Sequence, residues 1–394
     1  MKIGAPDSAW CQQTRYIILS QLIIIAMLDM SDPYWPLILS SYHSFDAKTL
    51  QYWTGAIYMA PMLTTIFTTL FWTKIGENIG YKKMILRAGF ALAITQWALI
   101  SFKNPWWILA IRLLQGALAG FTAAAQAWSL KISPINAHSR IVGRLQSATA
   151  LGSIVGPICG GFLANYYGYS SIFATSGFIC IVVSILLAKF LIENPINKEN
   201  IINTIKKIKK IYPGENFLLF LICFTQAARW MSTPFFSLYV VEQLHSGNIT
   251  VGIIYALMAL MMSLTTPNLG RFLDNKKGYM TWGKRILVTA LLMSGLVYCG
   301  FAFVTKAYLA FVLSLFLGIS LGAISLILFT FLLKGIKDER RSQIVGLGNT
   351  SLKLGNLVGI MIGSAVQAEG RFMISFIFIG VFYFFLAVLS WRYN

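Results

Sequence analysis

The chain has 394 residues, 57% of them hydrophobic and 11% charged, with a formal net charge of +19. An ordinary soluble domain is about 25% charged. A mean hydropathy of +0.68 and recurring apolar runs of about 20 residues, each able to cross a hydrocarbon core of about 30 Å, exclude a soluble globule, a disordered chain and a disulfide-built secreted scaffold. A membrane β-barrel would show short alternating segments instead. The basic excess would point to nucleic acid in a soluble protein. Here it is explained by cytoplasmic loops that collect Lys and Arg. The composition predicts an all-α polytopic membrane protein.

Twelve spans are predicted, over 16–40, 52–73, 84–102, 105–130, 141–164, 170–192, 216–240, 250–270, 285–304, 307–333, 342–365 and 371–391. With the N-terminus inside, 25 of the 32 Lys and Arg fall in loops or near span ends on one side and four on the other, and three (Arg112, Arg229 and Lys353) lie deep within spans. That asymmetry predicts cytoplasmic N- and C-termini. The first span is too long for a cleaved signal peptide. The five cysteines and three histidines are scattered. They show no metal-ligand spacing and no disulfide pattern, so neither a metal nor a cofactor is expected.

The long connection at 193–215 carries Lys206, Lys207, Lys209 and Lys210 among Ile201, Ile202, Ile205, Ile208 and Ile211. This predicts a basic amphipathic helix on the inner leaflet, with a solvated linker as the alternative. Either way, the chain divides into a six-helix bundle at 1–192, the linker at 193–215 and a six-helix bundle at 216–394.

The two halves repeat at an offset of about 200. Gly143, Gly152, Gly156 and Gly160 of the fifth span match Gly346, Gly355, Gly359 and Gly363 of the eleventh. Gly116 and Gly120 match Gly318 and Gly322, and Met30, Ser31 and Pro33 match Met231, Ser232 and Pro234. Duplicated six-helix halves with a binding site between them are a transporter architecture.

On these residues the chain resembles the major facilitator superfamily, and within it the twelve-helix drug–proton antiporter branch, which includes multidrug-efflux proteins. Gly143, Gly152, Gly156, Pro157, Gly160 and Gly161 fill that branch's antiporter signature. The resemblance implies that the glycine stripe packs against the opposite half and is associated with export; Pro157 can bend the helix. Glu77, Gly80, Lys82 and Lys83 resemble the superfamily's cytoplasmic gate motif, with Glu in place of the preferred Asp. Gly270 and Asp274 belong to its second copy. Arg112, Gln115, Gly116 and Gly120 resemble the motif in which an intramembrane arginine supports proton movement.

Charges at bilayer depth are functional candidates by default. Asp29 and Asp32 are three apart, so on one continuous helix they share a face. Asp32 and Arg112 lie at similar depths, each about 11 Å from the outer end at about 1.5 Å per residue. Two carboxylates in a poorly solvated site do not both ionise easily. Asp29 or Asp32 is therefore the expected carrier of a coupling proton, with Arg112 tuning it. A fixed ion pair tying helices together is the structural alternative.

Arg229 and Lys353 add cations with no acid in their own half's spans. This favours an anionic or carboxylate-bearing substrate, unless Arg229 pairs with Asp29. Candidate substrate contacts are Arg229, Lys353, Gln115, Tyr34, Trp35, Trp230, Phe235 and Phe236. The expected function is a proton-coupled secondary transporter in a bacterial inner membrane. It would act as an exporter by rocker-switch alternating access. The expected partners are lipid, a small-molecule substrate and protons, with no nucleic acid and a monomeric state. The alternatives are a dedicated exporter of a carboxylate metabolite or siderophore, and an importer by proton symport or facilitated diffusion. No phosphate-binding Gly-Lys-Ser/Thr loop or nucleophile–base set supports an enzyme.

Overall fold

The computed structural model describes residues 9–134, 137–192, 213–274, 279–333 and 338–392. The expected linker helix lies outside these residues. Among the described residues there are helices and no strands. In lipid, a chain that satisfies its backbone groups within each segment is a stable way to span. The helical segments correspond in number and position to the twelve expected spans. Among the described residues, nine helices are long and apolar enough to cross a bilayer by length and composition. Large apolar side chains such as Phe67, Leu296 and Val381 face outward, as lipid contact allows.

The first span is helix α1 (Ala9–Asp29), a 3₁₀ turn (Asp32–Tyr34) and α2 (Trp35–Tyr42). Pro33 has no N–H to donate to the ladder, and Pro36 restarts the helix in its first turn, so the break sits where these prolines are. The second and third spans are α3 (Ala47–Ile79) and α4 (Tyr81–Ser101). The fourth is divided into α5 (Pro105–Ala117) and α6 (Phe121–Ile132). At this break Gly120 has φ +126°, a backbone region that side chains with a Cβ rarely adopt. The fifth and sixth are α7 (His138–Tyr167) and α8 (Tyr169–Phe190). Pro157 sits inside α7 without ending it.

The seventh span repeats the break of the first. Helix α9 (Pro213–Trp230) stops at a turn containing Ser232 and Pro234, followed by α10 (Phe236–Leu238) and one wide helical turn over Tyr239–Gln243. The remaining spans are α11 (Asn248–Asp274), α12 (Tyr279–Phe301), α13 (Ala307–Leu333), α14 (Asp338–Gln367) and α15 (Phe372–Arg392). The first, fourth and seventh spans are thus each interrupted.

Contacts divide the described residues into two compact units. One takes those up to Asp32 and those of Ala60–Ile205; the other takes Pro33–Met59 and those beyond Lys206. The repeat alone predicts a division at the linker. The contacts group α2 and the start of α3 with the later spans instead. The Tyr34 hydroxyl donates to the Asn248 carbonyl at 3.2 Å. Gly55 leaves room for Ser364, which a Cβ there would strike.

Within the units the repeat is visible in the packing: α1 lies on α7 as α9 lies on α14, and α4 on α8 as α12 on α15. A Cβ on Gly152 would come 2.8 Å from the Leu22 carbonyl oxygen, and one on Gly156 would come 2.5 Å from that of Ala26. In the second unit, Gly355, Gly359 and Gly363 approach the carbonyls of Cys223, Ala227 and Met231 in the same way. Small residues at four-residue spacing let two backbones meet. The stripe expected to face the opposite half thus has Gly152 and Gly156 packed against the first span of its own half.

Candidate functional site

The break in the first span separates the two intramembrane carboxylates. Asp29 is the last residue of α1 and Asp32 opens the 3₁₀ turn. They therefore do not share the continuous helix face that their spacing predicts, and each has its own partner. Ser153, between the stripe glycines of α7, donates a hydrogen bond to Asp29 Oδ2 at 2.5 Å. Arg112 Nη2 lies 3.9 Å from Asp32 Oδ1, and the Arg112 side chain is 7% exposed while that of Asp32 is 45% exposed. Arg112 Nη1 donates to Gln115 Oε1 at 2.7 Å. A tight charge-assisted bond would be about 2.7–2.9 Å long. The Arg112–Asp32 pair is thus an ion pair with a long separation and one half-exposed member.

Helix α5 places Arg112. Asn104 caps it by accepting the Trp106 amide at 2.9 Å, and Pro105 occupies the first turn, where its missing N–H costs nothing. The helix end at Ala117 frees carbonyls that lipid could not satisfy. The Trp72 indole donates to the Ala117 carbonyl at 2.6 Å, and Arg87 Nη2 donates to that of Ala119 at 3.0 Å. The Thr65 hydroxyl donates to the Gly116 carbonyl at 3.1 Å, and that of Thr64 to Leu113 at 2.9 Å. The Arg87 guanidinium lies 3.4 Å from the centre of the Trp72 ring, a cation–π contact. Arg87, near the start of the predicted third span, is here a clasp on the fourth span.

The other predicted residues fall in different settings. A Cβ on Gly143 would meet nothing within 4 Å, nor would one on Gly346, its counterpart in the repeat. Pro157, Gly160 and Gly161 are buried. Of the gate residues, Gly80 joins α3 to α4 with φ +98°. Lys82 is partly exposed and Lys83 exposed. Gly270 lies on α11, where a Cβ would be 3.9 Å from Leu326. The side chains of Glu77 and Asp274 lie outside the described ones.

Tyr34, Trp35, Phe235 and Phe236 are fully buried. Phe235 and Phe376 are 5.3 Å apart edge to face, and so are Phe236 and Phe301. The turn after Trp230 carries these rings into the bundle. Trp230 is partly buried and Lys353 is exposed.

Arg229, one residue before the end of α9, makes no ion pair among the described residues. It lies within electrostatic reach of the phenols of Tyr298 and Tyr383. Sequence reasoning missed Tyr298, Tyr383, Ser153, Trp72 and Arg87 as site residues. Ser153 had a signal, since it sits inside the glycine stripe. The others had none, because nothing in the sequence marks which aromatic or basic residue faces a break.

Interrupted spans, a doubled helix plan and carboxylates at a break in the membrane define a polytopic membrane transporter. The chain belongs to the Major Facilitator Superfamily, whose family model matches residues 17–359. It is 26% identical over 391 residues to the "Staphyloferrin B transporter" of Staphylococcus aureus (strain NCTC 8325 / PS 47), covering 95% of this chain and 91% of that protein. It is 26% identical over 370 residues to "Multidrug resistance protein MdtG" of Salmonella arizonae, covering 91% and 90%. Among solved structures, the inward-facing, occupied form of a bacterial homologue of the human lysosomal transporter Spinster matches with TM-score 0.79 at 14% identity, over 98% of this chain and 97% of that one. The human organic anion transporter MFSD10 (TETRAN) matches with TM-score 0.66 at 12% identity, over 98% and 100%. These structural likenesses carry the fold.

Proposed function

We propose that this transporter is a proton-coupled exporter of a small organic anion, embedded in a bacterial inner membrane with both termini cytoplasmic. Its six-helix halves, 1–192 and 216–394, would rock about a midplane site. The observation that carries the reading is the arrangement at the first-span break. Asp32 is half exposed and 3.9 Å from Arg112, while Asp29 is held by Ser153. Asp29 is tied to the motif helix, while Asp32 is half exposed and faces Arg112 at a longer distance. Protonation of Asp32 removes its attraction to Arg112 and releases the fourth span from the first. Proton loading is thereby linked to relative movement of two spans. One proton moving down roughly 150 mV supports about a 300-fold gradient, at about 2.3 kcal/mol per 100 mV and about 1.4 kcal/mol per tenfold.

A dedicated carboxylate exporter is favoured over a multidrug role by Arg229, whose half has no acid within its predicted spans. The relative named for staphyloferrin B supports the same side. Multidrug efflux is the second reading, supported by the relatives named MdtG. Proteoliposomes with an imposed pH gradient test both, using a panel of organic anions and cationic dyes. Gradient-driven movement of anions that is lost in Asp29→Asn or Asp32→Asn is expected. Full coupling in both variants overturns the proton assignment, and accumulation with the proton gradient reverses the direction.

A further inference from the structure

The six predicted spans of the second half contain no Asp or Glu; the acids of its helical segments sit near their ends, at Glu215, Glu242, Asp274, Asp338 and Glu339. Arg229 nevertheless stands at the end of α9, partly buried. A guanidinium at this depth is costly unless an anion answers it. Around it the structure gathers donors. The Ser232 hydroxyl lies 3.3 Å from that of Tyr298. Tyr298 and Tyr383 stack nearly parallel, with ring centres 5.5 Å apart and planes 12° apart. The Tyr383 side chain is completely buried, and its hydroxyl has no hydrogen-bond partner among the described residues. Arg229 is within electrostatic reach of both phenols. A guanidinium brings five donors and no acceptor, and two phenols and a serine add three hydroxyls. Donors exceed acceptors, and a buried orphan hydroxyl is unusual enough to require an explanation.

We propose that Arg229, Tyr298, Tyr383 and Ser232 form a carboxylate-binding site inside the second unit, where an acid group of the cargo supplies the missing negative charge. This rests on the transporter reading above and adds the substrate class and its recognition residues. The planar fork of Arg229 accommodates both carboxylate oxygens, and the Tyr383 hydroxyl donates to one of them. The repeat places Leu28 where the second half has Arg229, and Trp230 where the first has Asp29. Proton handling and anion binding are thus separated onto equivalent breaks of a duplicated scaffold.

The test is titration of the full-length protein in detergent with tricarballylate, read by the fluorescence of Trp230 and its neighbours. The neutral triamide of the same acid serves as control. Saturable binding of tricarballylate and none of the triamide is expected. Arg229→Gln should weaken binding at least tenfold, Arg229→Lys less, and Tyr383→Phe severalfold, with each variant monodisperse on size exclusion. Absence of saturable binding by the parent overturns the site, as do equal binding of the triamide and indifference of both Arg229→Gln and Tyr383→Phe. If carboxylate binding follows the pattern but a pH gradient drives no flux, the site stands and the coupling reading falls. If cationic dyes are driven while tricarballylate is ignored, the reverse holds.

Discussion

The Ser153 hydroxyl donates to the Asp29 carboxylate at 2.5 Å, joining the glycine-striped helix α7 to the carboxylate at the end of α1. The bond is possible because Gly152 and Gly156 flank Ser153 and let the two backbones meet. A hydrogen bond to a charged group contributes more than a neutral one. Ser153→Ala should lower gradient-driven transport by about tenfold, equivalent to about 1.4 kcal/mol. Ser153→Thr, which keeps a donor, should retain most of it. Initial rates in proteoliposomes with and without an imposed pH gradient check this. An effect equal in both conditions would point to packing instead of coupling.

The motif glycines are not equivalent. A Cβ on Gly156 would sit 2.5 Å from the Ala26 carbonyl oxygen, whereas one on Gly143 meets nothing within 4 Å. Gly156→Ala should force α1 and α7 apart and destabilise by about 1–3 kcal/mol. Gly143→Ala should be neutral or stabilise by up to about 1 kcal/mol, because alanine is the better helix former. Thermal unfolding in detergent distinguishes the two.

The break in the fourth span depends on side-chain donors from its neighbours. Trp72→Phe removes the donor to the Ala117 carbonyl and Arg87→Gln removes the cation stacked over the indole. Each should cost about 1–3 kcal/mol, the range for stranding a buried polar group. Arg87→Lys should not restore the loss, since an ammonium lacks the planar fork. Because Arg112 is one and a half turns from this break, both variants should also reduce driven flux. Loss of stability with flux per folded molecule unchanged would separate the clasp from the coupling site.

At the start of the second span, Asp46 precedes α3 and accepts the Thr49 amide at 3.3 Å. The Thr49 side chain and then its amide hold this exposed carboxyl below the ordinary aspartate value. A carboxyl whose folded-state value is depressed stabilises above its unfolded value and loses that contribution as pH falls through the folded one. Hydrogen exchange of the first turn of α3 should therefore be slower in the parent than in Asp46→Ala at neutral pH. The difference should vanish in strong acid. Equal protection at neutral pH would remove the cap.

The span count, the doubled plan and the identity of the intramembrane charges were legible in the residues. Apolar runs of bilayer length, a one-sided distribution of Lys and Arg and glycines in register are properties of the chain itself, imposed by the solvent around it. The pairing of Arg112 with Asp32 was also within reach, since depth along a helix is a matter of counting. Which residues meet at a break was not. Spacing predicted one shared face for Asp29 and Asp32, but the turn at Pro33 sent them to Ser153 and Arg112. The rings of Phe235 and Phe236, read as candidate substrate contacts, lie buried against Phe376 and Phe301. Interruptions in the fourth and seventh spans, the clasp of Trp72 and Arg87, and the phenols beside Arg229 depend on residues far apart in sequence. Their contacts are decided by how helices pack, because a freed carbonyl or an unanswered charge takes its partner from whichever neighbour tertiary structure brings near.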